Sequence, residues 1–264
     1  MCEEMDENTV VVDGITFEID GKFARVVSAD KDIKKAKILG RVDGYLVLGI
    51  GPNAFEDCEK LKIVIIEIDD EITDPLSKNH EKAYYGYEIG SYAFRNCKNL
   101  EIVEIPDGVS AIWQGAFINC SSLVRLYLPK GIFVGMYAFC RCKKLKSIGT
   151  KLTYGMEGAF SECNSLVDFP MGSGAEEIEE DCFEHCYSLK KIVIPASLHH
   201  IGSLAFRSCT ALEEVVFEDL HGWYARNSYI SGAQELDLSN PRKNAKMLSR
   251  MDFDDGVVAW NKRK

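Results

Sequence analysis

The chain has 264 residues, 46% of them hydrophobic and 27% charged, with a formal net charge of −10. This is ample material for a core and excludes a disordered polymer. The acidity argues against general binding to nucleic acid or anionic membrane, which rely on clustered Lys and Arg, but it also serves solubility and points only weakly to a basic partner.

The first residues are acidic (Glu3, Glu4, Asp6, Glu7) and lack the basic start and apolar run of a secretory leader. No stretch approaches the roughly 18 apolar residues of a membrane helix. As written, the chain is expected to be cytoplasmic; a trimmed chain from the cell surface, or a secreted one, would look the same. Val10-Val11-Val12-Asp13-Gly14-Ile15-Thr16-Phe17-Glu18-Ile19-Asp20-Gly21 reads as strand, turn and strand, and Phe23 to Val27 continues the β pattern. Residues 1–36 are therefore expected to form an N-terminal β cap.

A short phrase, small-Phe-x-x-Cys-x-x-Leu, then appears seven times. Its phenylalanines are Phe55, Phe94, Phe117, Phe139, Phe160, Phe183 and Phe206, and from the second copy on they recur every 21 to 23 residues. A fixed period in that range indicates a solenoid, in which each copy is too small to bury its own apolar face and stacks on its neighbours. In the second copy, Ala93 to Cys97 places small, aromatic and thiol groups on one side of a single helical turn. Leu100, Val103 and Ile105 follow as the inward residues of a short strand that Pro106 ends. Pro129, Pro170 and Pro195 repeat the stop. An apolar residue four positions before each small-Phe pair (Ile89, Ile112, Val134, Ile178, Ile201) closes the turn; Gly155 breaks this rule in the fifth copy.

The pattern I-G-x-x-A-F-x-x-C-x-x-L-x-x-I-x-I-P closely resembles the BspA-like leucine-rich repeats, the treponemal or type-5 class. The lead-in Val42-Asp43-Gly44-Tyr45-Leu46-Val47 before Ile50-Gly51 and Ala54-Phe55 is similar to that family's entry into its first full repeat. The resemblance covers roughly residues 37–218. It implies a leucine-rich-repeat solenoid of β/α class, with a parallel sheet lining the concave face and short helical turns opposite, capped at both ends. It implies no reaction.

Between the first and second copies the Phe spacing widens to 39 residues. The insertion, residues 69–88, is either a tolerated surface loop or a contact site. Its clustered tyrosines Tyr84, Tyr85 and Tyr87 favour the latter, because Tyr offers rigid area with a polar tip. After Phe217 the period stops. Residues 219–264 are expected to be a C-terminal cap: Asn240-Pro241 starts a short helix to about Arg250 with Met247 and Leu248 inward, and Trp223, Tyr224 and Trp260 pack the end rather than cage a ligand. The W…LSNPRKNAKML…W layout is also similar to C-terminal segments of BspA-like proteins from gut bacteria.

No nucleophile elbow, phosphate loop or zinc-protease motif is present. Gly49-Ile50-Gly51 and Gly172-Ser173-Gly174 are turns. Seven cysteines hold one equivalent position per copy and read as buried free thiols in a ladder rather than disulfides or metal ligands. Cys140 falls outside the ladder at an outward position and is the most plausible reactive thiol. His199-His200 is expected to be solvated. The acidic run Glu176-Glu177-Ile178-Glu179-Glu180-Asp181 reads as a solvated edge. No catalytic residue, metal or cofactor is expected.

Strand alternation places a changing pair on the concave face in each copy: Ile63/Ile65, Ile102/Glu104, Arg125/Tyr127, Ser147/Gly149, Asp168/Pro170, Lys191/Val193 and Glu214/Val216. The pair Ser147/Gly149 leaves the middle bare, with room for a protruding group. Such a surface suits a protein or peptide better than a metabolite, nucleic acid or membrane. The expected function is a non-catalytic interaction module. A segment of a bacterial cell-surface adhesin is the alternative, and an enzyme or metal protein the remote one.

Overall fold

Alternating apolar residues between Thr9 and Ala29 build three antiparallel strands, Thr9–Val12, Ile15–Asp20 and Phe23–Ala29. Asp13 and Gly14 both take positive φ (50° and 77°), the backbone that a two-residue hairpin turn between twisted strands requires. The computed structural model describes residues 8–73, 86–149, 152, 156–227, 233–250 and 257–262. Within them the third strand pairs in parallel with Tyr45–Ile50, so this meander extends a sheet of the solenoid proper.

Beyond it the chain coils, and most copies supply one strand to each of two parallel stacks. The front stack comprises Lys35–Ile38, Ile63–Ile66, Ile102–Glu104, Arg125–Leu126, Ser147–Ile148, Lys191–Ile194 and Glu214–Phe217; the fifth copy contributes a bridge from Asp168 to Lys191. Equivalent residues align, as in Lys35 with Ile63, Ile63 with Ile102, and Lys191 with Glu214. The side stack runs through Tyr45–Ile50, Tyr87–Ile89, Val109–Ile112 and Phe133–Val134, then Glu177–Ile178 and His200–Ile201. The fold expected from the repeat is thus the one observed.

The first rung has no Phe and no Cys. Ile33, Ala36 and Ile38 stand where Leu61, Val64 and Ile66 stand one turn later, with Ala36 and Ile38 fully buried. The boundary expected after residue 36 falls inside this strand, because the apolar spacing of a rung persists without the conspicuous Phe.

The third wall differs in detail from a helical turn. Two residues of every copy, two before and two after the Phe, have φ between 55° and 63°: Tyr92 and Asn96, Gly115 and Asn119, Tyr137 and Arg141 in three successive copies. Alternating handedness turns each second N–H outward along the solenoid axis. Tyr92, Phe94 and Asn96 donate to the carbonyls of Gln114, Ala116 and Ile118 in the next copy, at 2.7–3.0 Å. The residues between them, Ala93, Arg95 and Cys97, donate three positions back within their own copy. The segment is a run of β-turns that hydrogen-bonds on both scales, which a single helical turn would not permit.

This register stacks the aromatic rings. From Phe55 to Phe206 the seven phenylalanines form one column, with successive centroids 4.9–5.9 Å apart and rings within 15° of parallel. All are essentially fully buried, and the small residue before each leaves room for the adjacent turn. The cysteine solves a further problem. Phe94 O accepts the N–H of Cys97 in its own copy (3.1 Å) and the thiol of Cys120 in the next (3.2 Å). The same thiol-to-carbonyl contact, 3.1–3.4 Å, recurs from Cys97 to Cys209. The thiol is thus both an apolar filler and a weak donor for an otherwise half-used carbonyl.

At the far end, Asn240 caps the helix Pro241–Ser249 by accepting from the N–H groups of Arg242 and Lys243, both at 3.1 Å, with Pro241 at the first helical position. Leu248 and Ala245 are buried and Met247 packs partly against the core. Asn244 is buried and donates to the carbonyls of Val215 and Leu238 (3.2 and 3.0 Å), fastening the helix to the last front strand. Strands Trp223–Asn227 and Val257–Lys262 continue the side stack in antiparallel fashion from His200–Ile201. Trp223 and Trp260 pack against Phe217, centroids 5.1 and 6.0 Å away, as end packing.

Candidate functional site

The inward residues of the front strands are buried, so the outward residues form a continuous face whose neighbouring rows are separated by about one strand spacing, ~4.8 Å. Three apolar side chains stand out of it: Ile102 (46% exposed), Tyr127 (63%) and Val193 (40%). Glu104, Arg125, Asp168 and Lys191 are also exposed, whereas Ile63, Ile65, Glu214 and Val216 are half-buried. Lys191 bridges to Glu214 at 3.1 Å. Lys35 and Lys37 extend the face by the extra rung, and Lys37 pairs with Glu67 at 2.9 Å.

Four expectations need correction. The middle of the face is not bare: the ring of Tyr127 lies across Gly149, where a Cβ would meet it at 2.2 Å. Glycine here makes room for a neighbouring side chain of the same protein. Tyr87 cannot serve a contact loop, because it is the fully buried first residue of the strand Tyr87–Ile89; Tyr84 and Tyr85 lie outside the described residues. His199 and His200 have partners across the side stack, Glu177 at 3.4 Å and Asn261 at 2.8 Å.

Cys140 is the fourth. It is buried, and that burial pushes its thiol up to about 11. The ladder thiols are raised likewise, Cys209 to about 12, as burial disfavours the thiolate. All nine described cysteines are reduced and buried. We expect a thiol-specific disulfide reagent to leave these nine unmodified in the native protein and to titrate them only after denaturation; rapid native labelling of Cys140 would contradict this packing.

Of the acidic run, Glu176, Glu177 and Glu180 are exposed as expected, and Asp181 is half-buried. Partial burial, reinforced by the neighbouring carboxylates of Glu184, Glu180 and Glu157, raises the Asp181 carboxyl to about 6. Tyr137 donates to Glu157 at 2.5 Å. The folded state holds the Asp181 proton more tightly than the unfolded chain, so stability falls as pH rises from about 4 to 6. Asp181→Asn, which also suits the local φ of 55°, is expected to stabilise by about 1 kcal/mol at pH 7 after allowance for solvent screening, and to be neutral near pH 4. Denaturant melts at both pH values test this; an equal effect at both would remove the electrostatic cause. Among the described residues no group of three or more His, Cys, Asp or Glu is arranged to hold a metal ion, and no helix is long and apolar enough to cross a membrane.

A stack of short parallel strands closed by turns, with constant inward and variable outward residues, defines a leucine-rich-repeat solenoid. The model of the BspA type leucine-rich repeat region matches residues 83–169 and 134–225, and the chain belongs to that family. The T. pallidum leucine-rich repeat protein is 20% identical, with a TM-score of 0.58 over 77% of this chain and 90% of that one. A leucine-rich cell surface protein from Faecalibacterium prausnitzii A2-165 is 21% identical, with a TM-score of 0.54 over 84% of this chain and 59% of that one. No curated protein matches the chain. Repeats of this family commonly mediate protein–protein interaction and occur on bacterial surface proteins.

Proposed function

We propose that the chain is a non-catalytic module that binds a protein or peptide through the outward residues of its front strands. The observation that carries this reading is the contrast between invariant and variable rows. Phe, Cys and Leu recur copy after copy in the interior, while the outward row changes at every copy and exposes Ile102 and Tyr127 on adjacent copies and Val193 on the sixth. Exposed aromatic and aliphatic groups beside charges are the composition of a protein-binding centre and its rim.

Replacing Ile102 and Tyr127 together by Ala is expected to abolish capture of the partner while leaving thermal unfolding nearly unchanged, since both side chains are exposed. Full retention of capture would move the site elsewhere. A role as part of a bacterial cell-surface adhesin uses the same face; it is favoured by the family's occurrence on bacterial surfaces and is checked by antibody labelling of intact cells.

A further inference from the structure

The corner where each turn meets its front strand carries a charge pattern opposite to that of the whole protein. Across the third to sixth copies this corner holds Arg125, Lys143, Lys144, Lys146, Lys190 and Lys191, with Asp168 the single carboxylate among the equivalent positions. All six cations are exposed. Among the described residues, only Lys191 has a salt bridge, to Glu214. On the preceding copies two of the cations at this corner are paired, Lys60 with Asp32 at 2.7 Å and Lys98 with Glu59 at 2.6 Å, while Lys62, at the position of Lys146 and Lys190, has no salt bridge among the described residues.

The register fixes how these groups sit. Lys146 N–H donates to Val124 O, Val167 N–H to Lys146 O, and Lys190 N–H to Val167 O, so Val124, Lys146, Val167 and Lys190 form one row across the solenoid. Lys146 and Lys190 are therefore about two strand spacings apart, roughly 10 Å, with the exposed Val167 (42%) between them. Tyr187 (46% exposed) flanks one end and Tyr127 the other. Cations that alternate with exposed apolar groups match a chain bearing both carboxylates and apolar side chains, rather than a uniform polyanion.

We propose that the partner docks through an acidic, apolar-containing protein segment laid across the third to sixth copies, its carboxylates meeting Arg125, Lys146 and Lys190 and its apolar side chains meeting Val167 and Tyr127. The proposal rests on the docking face argued above and narrows its partner. The protein's own net charge of −10 repels acidic chains at long range. The patch is a local exception that selects for position.

The test is a fluorescence titration of the full chain with a labelled synthetic peptide of alternating Glu and Phe, at about 50 mM and about 300 mM salt. Wild type is expected to bind and to weaken severalfold at the higher salt. Lys146→Glu with Lys190→Glu should weaken binding by about tenfold or more, whereas Lys98→Glu, outside the patch, should change it by less than about twofold. Unchanged affinity in the double variant overturns the proposal. So does tighter binding of heparin or phosphatidylglycerol vesicles that the same variant loses, since the ligand would then be a polysaccharide or lipid surface. Self-association in sedimentation that the double variant abolishes would likewise overturn it in favour of a second copy. If Ile102→Ala with Tyr127→Ala abolishes capture of the partner while charge reversal does nothing, the face stands and only the acidic class fails.

Discussion

Phe139→Ala is expected to lower the free energy of unfolding by about 3–5 kcal/mol, the range for deleting a buried phenyl group. The ring lies in the middle of the seven-membered column, 5.3 Å from Phe117 and 5.6 Å from Phe160, and is fully buried. Its loss removes transfer energy, leaves a cavity and ends two stacking contacts worth about 0.5–1.5 kcal/mol each. The neighbours cannot collapse into the space, because backbone bonds from Phe139 N–H to Ala159 O and from Phe117 N–H to Ala138 O hold the turns in register. In a quasi-one-dimensional array a weak central interface also uncouples the two sides. Urea unfolding of the variant should therefore lose cooperativity and separate into two transitions. A single sharp transition displaced by less than about 1 kcal/mol would show that the column does not couple the copies.

Trp223→Ala is expected to be comparably severe, about 3–5 kcal/mol, and to add association. Trp223 is buried against Phe217 and its indole N–H donates to Asp219 O at 3.2 Å. It belongs to the strand that continues the side stack beyond the last copy. Without it the last turn would present Phe217 and its strand neighbours to water, and an uncovered end of a solenoid is a surface for joining further chains. Light scattering on heating should detect aggregates at temperatures where the wild type remains monodisperse. A variant that simply unfolds, reversibly and without scattering, would show that the helix Pro241–Ser249 closes the end by itself.

Much of this architecture is legible in the sequence, because the inward positions obey simple rules. Phe, Cys and Leu recur at fixed offsets, and burial admits few alternatives at each. The helix start at Asn240-Pro241 is equally plain, since Asn caps and Pro needs no donor. The rung at Lys35–Ile38 escapes notice because apolar spacing survives there without the aromatic. The pairing of Val257–Lys262 with both His200–Ile201 and Trp223–Asn227 has no periodic signal, being a long-range antiparallel contact. Tyr87 shows the hazard of reading composition: three tyrosines close in sequence look alike, yet strand alternation turns Tyr87 into the core. The outward pairs themselves follow from alternation. The basic corner becomes visible only when four separate stretches of sequence are brought into adjacent rows.

The alternating backbone of the turn segments has a mechanical consequence. Because every second N–H there crosses to the next copy, neighbouring copies are tied by hydrogen bonds along the turn wall as well as through front and side strands. Among the described residues the turn wall is tied at every step from Phe55 to Phe206, whereas the front strands fall into three separate ladders and the side strands into two. Tension along its axis therefore bears most on the continuous turn wall, and the solenoid should resist stretching until that wall gives way.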